Sequence, residues 1–400
     1  MAQSQSKKLK KPTNISASRR NLCIFRIAVC WFVLSAMLPT SLLAAPATII
    51  SKTEQSSSMD VLEVGQKEKV QRALMKAFGV REPSTISPLM GGFSQKLYKL
   101  SIKNKDYVLR LSNAIAVNLK REIKCMTIAS KIGIAPRVYY ANPKDGVLVM
   151  EYIENVKLTD QDRSDPAMYI KLAKLLKTLH YSSHFPKYRT IFEHIRGVIK
   201  KTGFTPSGLS KIVMNNLEPI EKLFNSDSMM ASCHNDLNPN NILFDGHKFW
   251  LIDWESASIG DPYFDLATIS NFFILHPKLE ELYLKTYFNG KPNKRQLAHY
   301  TIMKQVSLSY YGIALTSIAK TRNLPPLSES EIQDLPTLQD FYMAQASKEN
   351  SLDNPENLEK SLIRFGAIMM KESIKNMKSA QFQKQCQNKL VYLPLKCEFC

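Results

Sequence analysis

The chain has 400 residues, 44% hydrophobic and 22% charged, the balance of a globular protein with ample material for a buried core. Its 54 basic against 35 acidic residues give a formal charge of +19. Seven of those positive charges (Lys7, Lys8, Lys10, Lys11, Arg19, Arg20, Arg26) precede position 27, and the body has no basic run interleaved with aromatics, so no nucleic-acid partner is expected.

Seven cysteines, at 23, 30, 125, 233, 386, 397 and 400, are too scattered for a disulfide-built domain and imply a reducing compartment. Cys397 and Cys400 form a C-x-x-C, but with no matching pair elsewhere they read as two free thiols on a tail rather than as half a zinc site.

Residues 1–58 fall outside the globular pattern. The basic stretch precedes an apolar run over 27–38, and Ala45-Pro46-Ala47 offers small residues of the kind found at signal-peptidase sites. Read on through Ala45, the same segment, 22–45, is long enough for a membrane anchor despite Pro39. Both readings put the flanking charges in the cytoplasm and the remainder outside. A third reading starts translation at Met59, after Ser56-Ser57-Ser58.

From Met59 the pattern predicts a helix over 67–78 and strands over 85–90, 96–102 and 106–111, with Gly91-Gly92 and Asn104-Lys105 as turns. A helix over 116–131 follows, its stripe Leu119, Ile123, Met126 and Ile128 ended by Gly133. Strands over 137–140 and 147–152 complete a five-stranded antiparallel sheet with one inserted helix, residues 59–153. Long helices then dominate 154–380, over 166–182, 208–224, 263–273, 293–321, 331–347 and 357–377, before a tail at 381–400. The expected class is α+β, bilobal, with a cleft between the lobes.

The most specific signal is His234-Asn235-Asp236-Leu237-Asn238-Pro239-Asn240-Asn241, whose skeleton is H-x-D-x-x-x-x-N. A turn-rich loop running into a short strand holds a carboxylate at a cleft mouth and aims an amide at a metal five residues later. Phosphoryl transfer needs both: an orienter for the attacking hydroxyl and a hard oxygen ligand for magnesium. Twelve residues on, Asp253 ends the strand of Leu251-Ile252-Asp253-Trp254-Glu255, where a carboxylate is costly unless a cation neutralises it. Any one of these residues alone would read as a loop cap; the order of all three is what speaks.

With these motifs the chain resembles the aminoglycoside phosphotransferase and choline kinase group, relatives of the protein kinases, over about residues 65–375. The resemblance implies a protein-kinase-like bilobal fold, ATP and Mg2+ as cofactors, Asp236 as catalytic base, and Asn241 and Asp253 as metal ligands. It also implies a phosphate-covering loop at Gly91, Gly92 and Ser94, and a phosphate clamp at Arg110 oriented by Glu122. The hinge that meets adenine would run through Glu151 and Ile153. Within Gly260-Asp261-Pro262-Tyr263-Phe264-Asp265, Asp265 would brace the catalytic loop from behind, with His234 structural as well.

His-Asn-Asp-Leu and Ile-Asp-Trp-Glu are nearer to the choline and ethanolamine kinase versions than to those of the antibiotic kinases. A quaternary ammonium needs aromatic faces and an acidic group; the candidates are Tyr311 and Glu255. Choline kinases place two tryptophans on one helix here, whereas this chain has Tyr311 and then Ala314, which leaves ethanolamine, thiamine, an amino sugar or another alcohol open. The expected function is an ATP-dependent kinase acting on the hydroxyl of a small molecule. An export-like N-terminus conflicts with ATP use, so the alternative is a tethered or exported kinase-fold binding module without transfer.

Overall fold

The computed structural model describes residues 59–89, 95–112, 116–224, 230–346 and 355–390. The signal-like segment 1–58, the Gly91-Gly92 turn with Ser94, and the C-x-x-C at 397–400 lie outside the described residues. Among the described residues no helix is long and apolar enough to cross a membrane.

Helix α1 (Val64–Phe78) begins three residues before the predicted 67, because Glu63 and Gln66 cap it reciprocally. It stops at Gly79, whose φ of 71° suits a residue without Cβ. It packs through Val70, Ala73 and Leu74 onto an antiparallel sheet in the order β1-β2-β3-β5-β4. The strands are β1 (Thr85–Pro88), β2 (Gln95–Ile102), β3 (Lys105–Ser112), β4 (Val138–Asn142) and β5 (Val147–Glu151).

Period-two alternation divides this sheet between two cores. Leu100, Leu109, Val147 and Val149 join the core under α1, whereas Leu148 joins the main core. Arg110 pairs with Leu148 across β3 and β5, so it shares the face turned toward helix α2 (Ala116–Lys131) and the rest of the molecule. The sheet and its inserted helix match expectation closely, and α2 has the predicted bounds.

The helical remainder comprises α3 (Asp160–Ser164), α4 (Pro166–His180), α5 (Ile191–Thr202), α6 (Gly208–Phe224), α7 (Pro262–Phe273), α8 (Pro277–Phe288), α9 (Lys294–Thr316), α10 (Ile318–Thr321), α11 (Glu329–Gln333), α12 (Leu338–Ala346), α13 (Pro355–Met377) and α14 (Ala380–Leu390). Between α6 and α7 run two small antiparallel pairs. One joins β6 (Ala231–Cys233) to β9 (Ser258–Gly260), the other β7 (Ile242–Phe244) to β8 (Phe249–Leu251).

Helix α9 is buried on all sides from Gln305 to Thr316. It crosses α13 at Gly312 and Gly366, each of which presents a carbonyl oxygen under 3 Å from where the other's Cβ would stand.

Several expectations need correction. The single helix predicted over 293–321 is broken at Ser317, and that over 331–347 is interrupted before Leu338 near Pro336. Helices α5 and α8 replace stretches left unassigned. In place of a tail directly after 380, α14 returns to the body and buries Phe382 in the main core.

Candidate active site

The site is built where the two short hairpins bring three loops together. β6 ends at Cys233, and the next residues, His234 and Asn235, give their backbone N–H groups to Oδ2 and Oδ1 of Asp265, each at 2.8 Å. Asp265 is wholly buried on α7, and its carboxylate also meets Nε2 of His180 at 3.2 Å. His180 in turn faces the Tyr287 hydroxyl through Nδ1 at 2.7 Å. A carboxylate taken this far from water is stabilised by such donors, and here they fix the start of the loop.

Asn235 sits at φ 62°, a left-handed residue that turns the chain sharply before Asp236. Its amide nitrogen secures the turn through the carbonyl of Ser256 (3.2 Å) and the Ser258 hydroxyl (3.0 Å). The imidazole of His234 meets the carbonyl of Ile252 at 2.9 Å and lies against the Trp254 ring, 4.7 Å between centres. The loop of Asp236 and the strand leading to Asp253 are therefore tied to each other as well as to α7.

Asp236 is the best-supported side chain of the cleft. Its Oδ1 accepts from the Asn238 amide (3.0 Å) and the Tyr311 hydroxyl (2.9 Å). Its Oδ2 has a longer bond from the Asn241 amide at 3.2 Å, and the same amide nitrogen reaches the Asp236 carbonyl at 2.8 Å. Because Nδ2 of Asn241 is turned to Asp236, its Oδ1 is left for another partner.

Asn241 and Asp253 come together through β7 and β8. Ile242 pairs with Leu251, and the Ile252 N–H donates to the Asn241 carbonyl at 3.0 Å. Asp253 then leaves the strand at φ 60°, ψ 73°, ahead of a short 3-10 turn at Trp254–Ser256. Trp254 anchors that turn, fully buried against Phe185 and His234.

The cleft gathers several carboxylates close to one another. Burial raises the carboxyl of Asp236 above the ordinary range and the charge of Asp253 raises it further, while Asn238, His234 and Tyr311 pull it back. Glu255 is raised too. Its side chain opens to solvent, but the cleft walls desolvate it, and Asp253, Glu122 and Asp236 repel its charge; Lys201 acts in the opposite sense. A cation among Asp236, Asp253 and Glu255 would relieve this repulsion.

On the opposite wall Arg110, 6% exposed, donates through Nη1 to Glu122, 3% exposed, at 2.5 Å. Its Nε and Nη2 are buried and find no acceptor among the described residues. Two orphaned donors on a buried guanidinium are costly unless an anion meets them. Of the predicted hinge residues, Glu151 is bound to Arg137, its N–H to the Arg137 carbonyl at 2.8 Å and its carboxylate to the Arg137 N–H at 3.1 Å. Ile153 is half-buried just beyond β5.

Tyr311 is fully enclosed, and its hydroxyl is spent on Asp236. Its neighbour Tyr310, 7% exposed, keeps a sliver of surface and stands within electrostatic reach of Asp236 and Glu255. Asn238 and His180 were not legible as site residues in the sequence, whereas Tyr310 stood beside Tyr311 as a candidate for either a binding or a core role. The Asn-Pro-Asn-Asn run was a signal for the first, since an asparagine before proline favours a turn in which its side chain folds back on the loop.

The choline/ethanolamine kinase family model matches residues 86–335, well over half of the chain. The chain belongs to that family. Choline/ethanolamine kinases are small-molecule kinases with an alcohol as acceptor, and the α+β architecture is their protein-kinase-like fold. Protein LicA of Haemophilus influenzae is 29% identical over 227 residues, 52% of this chain and 66% of that protein, so the match spans just under two thirds of that relative. A choline/ethanolamine kinase family protein from Mesorhizobium loti superposes with a TM-score of 0.57 at 18% identity, over 81% of this chain and 99% of that one. The choline kinase LicA from Streptococcus pneumoniae superposes with a TM-score of 0.51 at 18% identity, over 78% and 98%.

Proposed function

We propose that this choline/ethanolamine kinase family member transfers the γ-phosphoryl group of ATP to the hydroxyl of a small amino alcohol of the choline or ethanolamine class. The observations that support the reading are the tie between Asn241 and Asp236, the charge of Asp253 within electrostatic reach of Asp236, and the buried guanidinium of Arg110 with two donors that meet no acceptor among the described residues. Each is a part that phosphoryl transfer requires, and the family match makes the set coherent.

In this reading Arg110 takes the nucleotide phosphates through Nε and Nη2, held at the right angle by Glu122. Oδ1 of Asn241 and the Asp253 carboxylate would form the hard-oxygen donor set that Mg2+ prefers, and the mutual repulsion of the cleft carboxylates fits a cation there. Bound magnesium would neutralise charge on the triphosphate. Asp236 accepts the proton of the acceptor hydroxyl through Oδ2, the oxygen with the weaker internal bond, while Tyr311 and Asn238 hold Oδ1. Gly91, Gly92 and Ser94 would cover the phosphates, and Glu151 to Ile153 would meet the adenine edge.

For the acceptor, Glu255 supplies a negative charge and Tyr310 an aromatic edge with a hydroxyl. With Ala314 where a second aromatic would complete a cage, the site offers an ammonium more polar than aromatic contacts. A binding module without transfer would not need Asp236 poised by three side-chain donors. The test is ADP release by the purified protein against ethanolamine, choline and an aminoglycoside. Turnover with ethanolamine or choline supports the reading. Turnover with the aminoglycoside alone would replace the acceptor class, and none with any acceptor would overturn the assignment.

A further inference from the structure

Glu122 has a neighbour that serves the other wall of the cleft. Arg121 donates through Nη1 to the carbonyl of Ala257 and through Nη2 to that of Glu255. Its guanidinium lies over the Tyr188 ring, with Cζ 3.8 Å from the ring centre. Cys125, one helical turn further along α2, meets the same Ala257 carbonyl from Sγ at 3.6 Å.

The backbone held in this way is the turn that starts at Asp253. That residue stands in the left-handed region without a side-chain cap bond of its own. Aspartate enters this region more readily than most residues, but still at a cost relative to extended backbone, so contacts made by the turn decide how firmly it is held there. Two carbonyls gripped by one planar fork are such contacts, and a lysine, which lacks the fork, cannot hold both in the same way.

We infer that Arg121 is a positioning residue for Asp253: by clamping the carbonyls of Glu255 and Ala257 it holds the turn where Asp253 and Asn241 face one cation. The inference rests on the metal role proposed for Asp253. Because Arg121 and Glu122 are consecutive, a single helix seats both the phosphate clamp and the metal turn. A shift of α2 relative to β8 would loosen the two together.

The experiment compares wild type, Arg121→Lys, Arg121→Ala and Asp253→Asn in the full chain. Mn2+ affinity is read by electron paramagnetic resonance in the presence of ADP, and half-saturating Mg2+ and acceptor concentrations by steady-state turnover. Loss of an outer-shell partner of this kind costs roughly tenfold to a hundredfold in metal affinity. Arg121→Ala should weaken Mn2+ binding by that much and, because Glu255 rides on the same turn, raise the acceptor KM with it, and Arg121→Lys should fall between it and wild type.

Unchanged metal affinity in both Arg121 variants, alongside a loss in Asp253→Asn, would overturn the role of Arg121 and leave the site assignment standing. Unchanged affinity in Asp253→Asn would remove the metal assignment and this inference with it. Should Arg121→Ala fail to fold, Arg121→Lys decides the question alone.

Discussion

Tyr311 donates its hydroxyl to Oδ1 of Asp236 at 2.9 Å, joining two residues 75 positions apart in the chain. The tyrosine is fully buried on α9, and burial together with the charge of Asp236 raises its hydroxyl far above the ordinary phenol range. It therefore remains a donor throughout the working pH range, and the hydrogen bond favours the ionised form of Asp236.

This bond has a pH signature. Asp236 has a raised pKa, so the ionised form that accepts a proton is lost as pH falls through a value above the usual aspartate figure of about 4. Removing the Tyr311 hydroxyl deletes a contribution that lowers that pKa. Tyr311→Phe should thus move the acid limb of the kcat/KM profile to higher pH, with a several-fold loss at the plateau. An acid limb that stays in place or moves down would show that the hydroxyl does not act on Asp236.

Arg110 and Glu122 make the prediction for stability. Both are buried, and removing one partner strands the other charge, at about 3–5 kcal/mol. Glu122→Ala should lower the urea midpoint by a matching amount and raise the KM for ATP more than that for the acceptor. The exposed pair of Lys67 and Asp60 serves as the contrast, since breaking it should cost less than about 1 kcal/mol.

The crossing of α9 and α13 bears on the site because Gly312 directly follows Tyr311. A Cβ at Gly312 would come within 2.5 Å of Met370 Cγ and 2.9 Å of the Gly366 carbonyl oxygen. Gly312→Ala should cost about 1–3 kcal/mol by overpacking. It should also reproduce part of the Tyr311→Phe pH shift, because the helix must move away and carry the tyrosine with it. A fully stable variant with a wild-type pH profile would contradict this.

Asp265 holds two backbone N–H groups of the catalytic loop, so its effect should fall on kcat. Asp265→Ala frees the loop, and a displacement of about 1 Å at Asp236 is worth on the order of a hundredfold in rate. Nucleotide binding by calorimetry should persist, since Arg110 and Glu122 lie on other elements.

Local signals made much of this readable from sequence. Short extended runs separated by turn residues gave the five strands, Gly133 marked the end of α2, and H-x-D-x-x-x-x-N with a later Ile-Asp-Trp-Glu pointed to Asp236, Asn241 and Asp253 as one set. Helix α5 was left unassigned, although the Thr190 and Glu193 capping box and Gly203 bound it, because its apolar stripe is short and its first turn follows an irregular stretch. What sequence could not show were contacts between distant segments. Nothing near Arg121 indicates that it reaches Ala257, nothing near Tyr311 that its hydroxyl meets Asp236, and nothing in α9, which has no apolar stripe distinct from a polar one, which of its residues faces the cleft.

The most direct test of the account is transfer by Asp236→Asn measured with its nucleotide binding. Magnesium-dependent ATP binding by calorimetry should stay within a few-fold of wild type, whereas phosphoryl transfer to ethanolamine or choline should fall by roughly a hundredfold to ten-thousandfold, the usual contribution of a positioned base. A variant that binds ATP and still transfers phosphate at the wild-type rate would contradict the role given to Asp236.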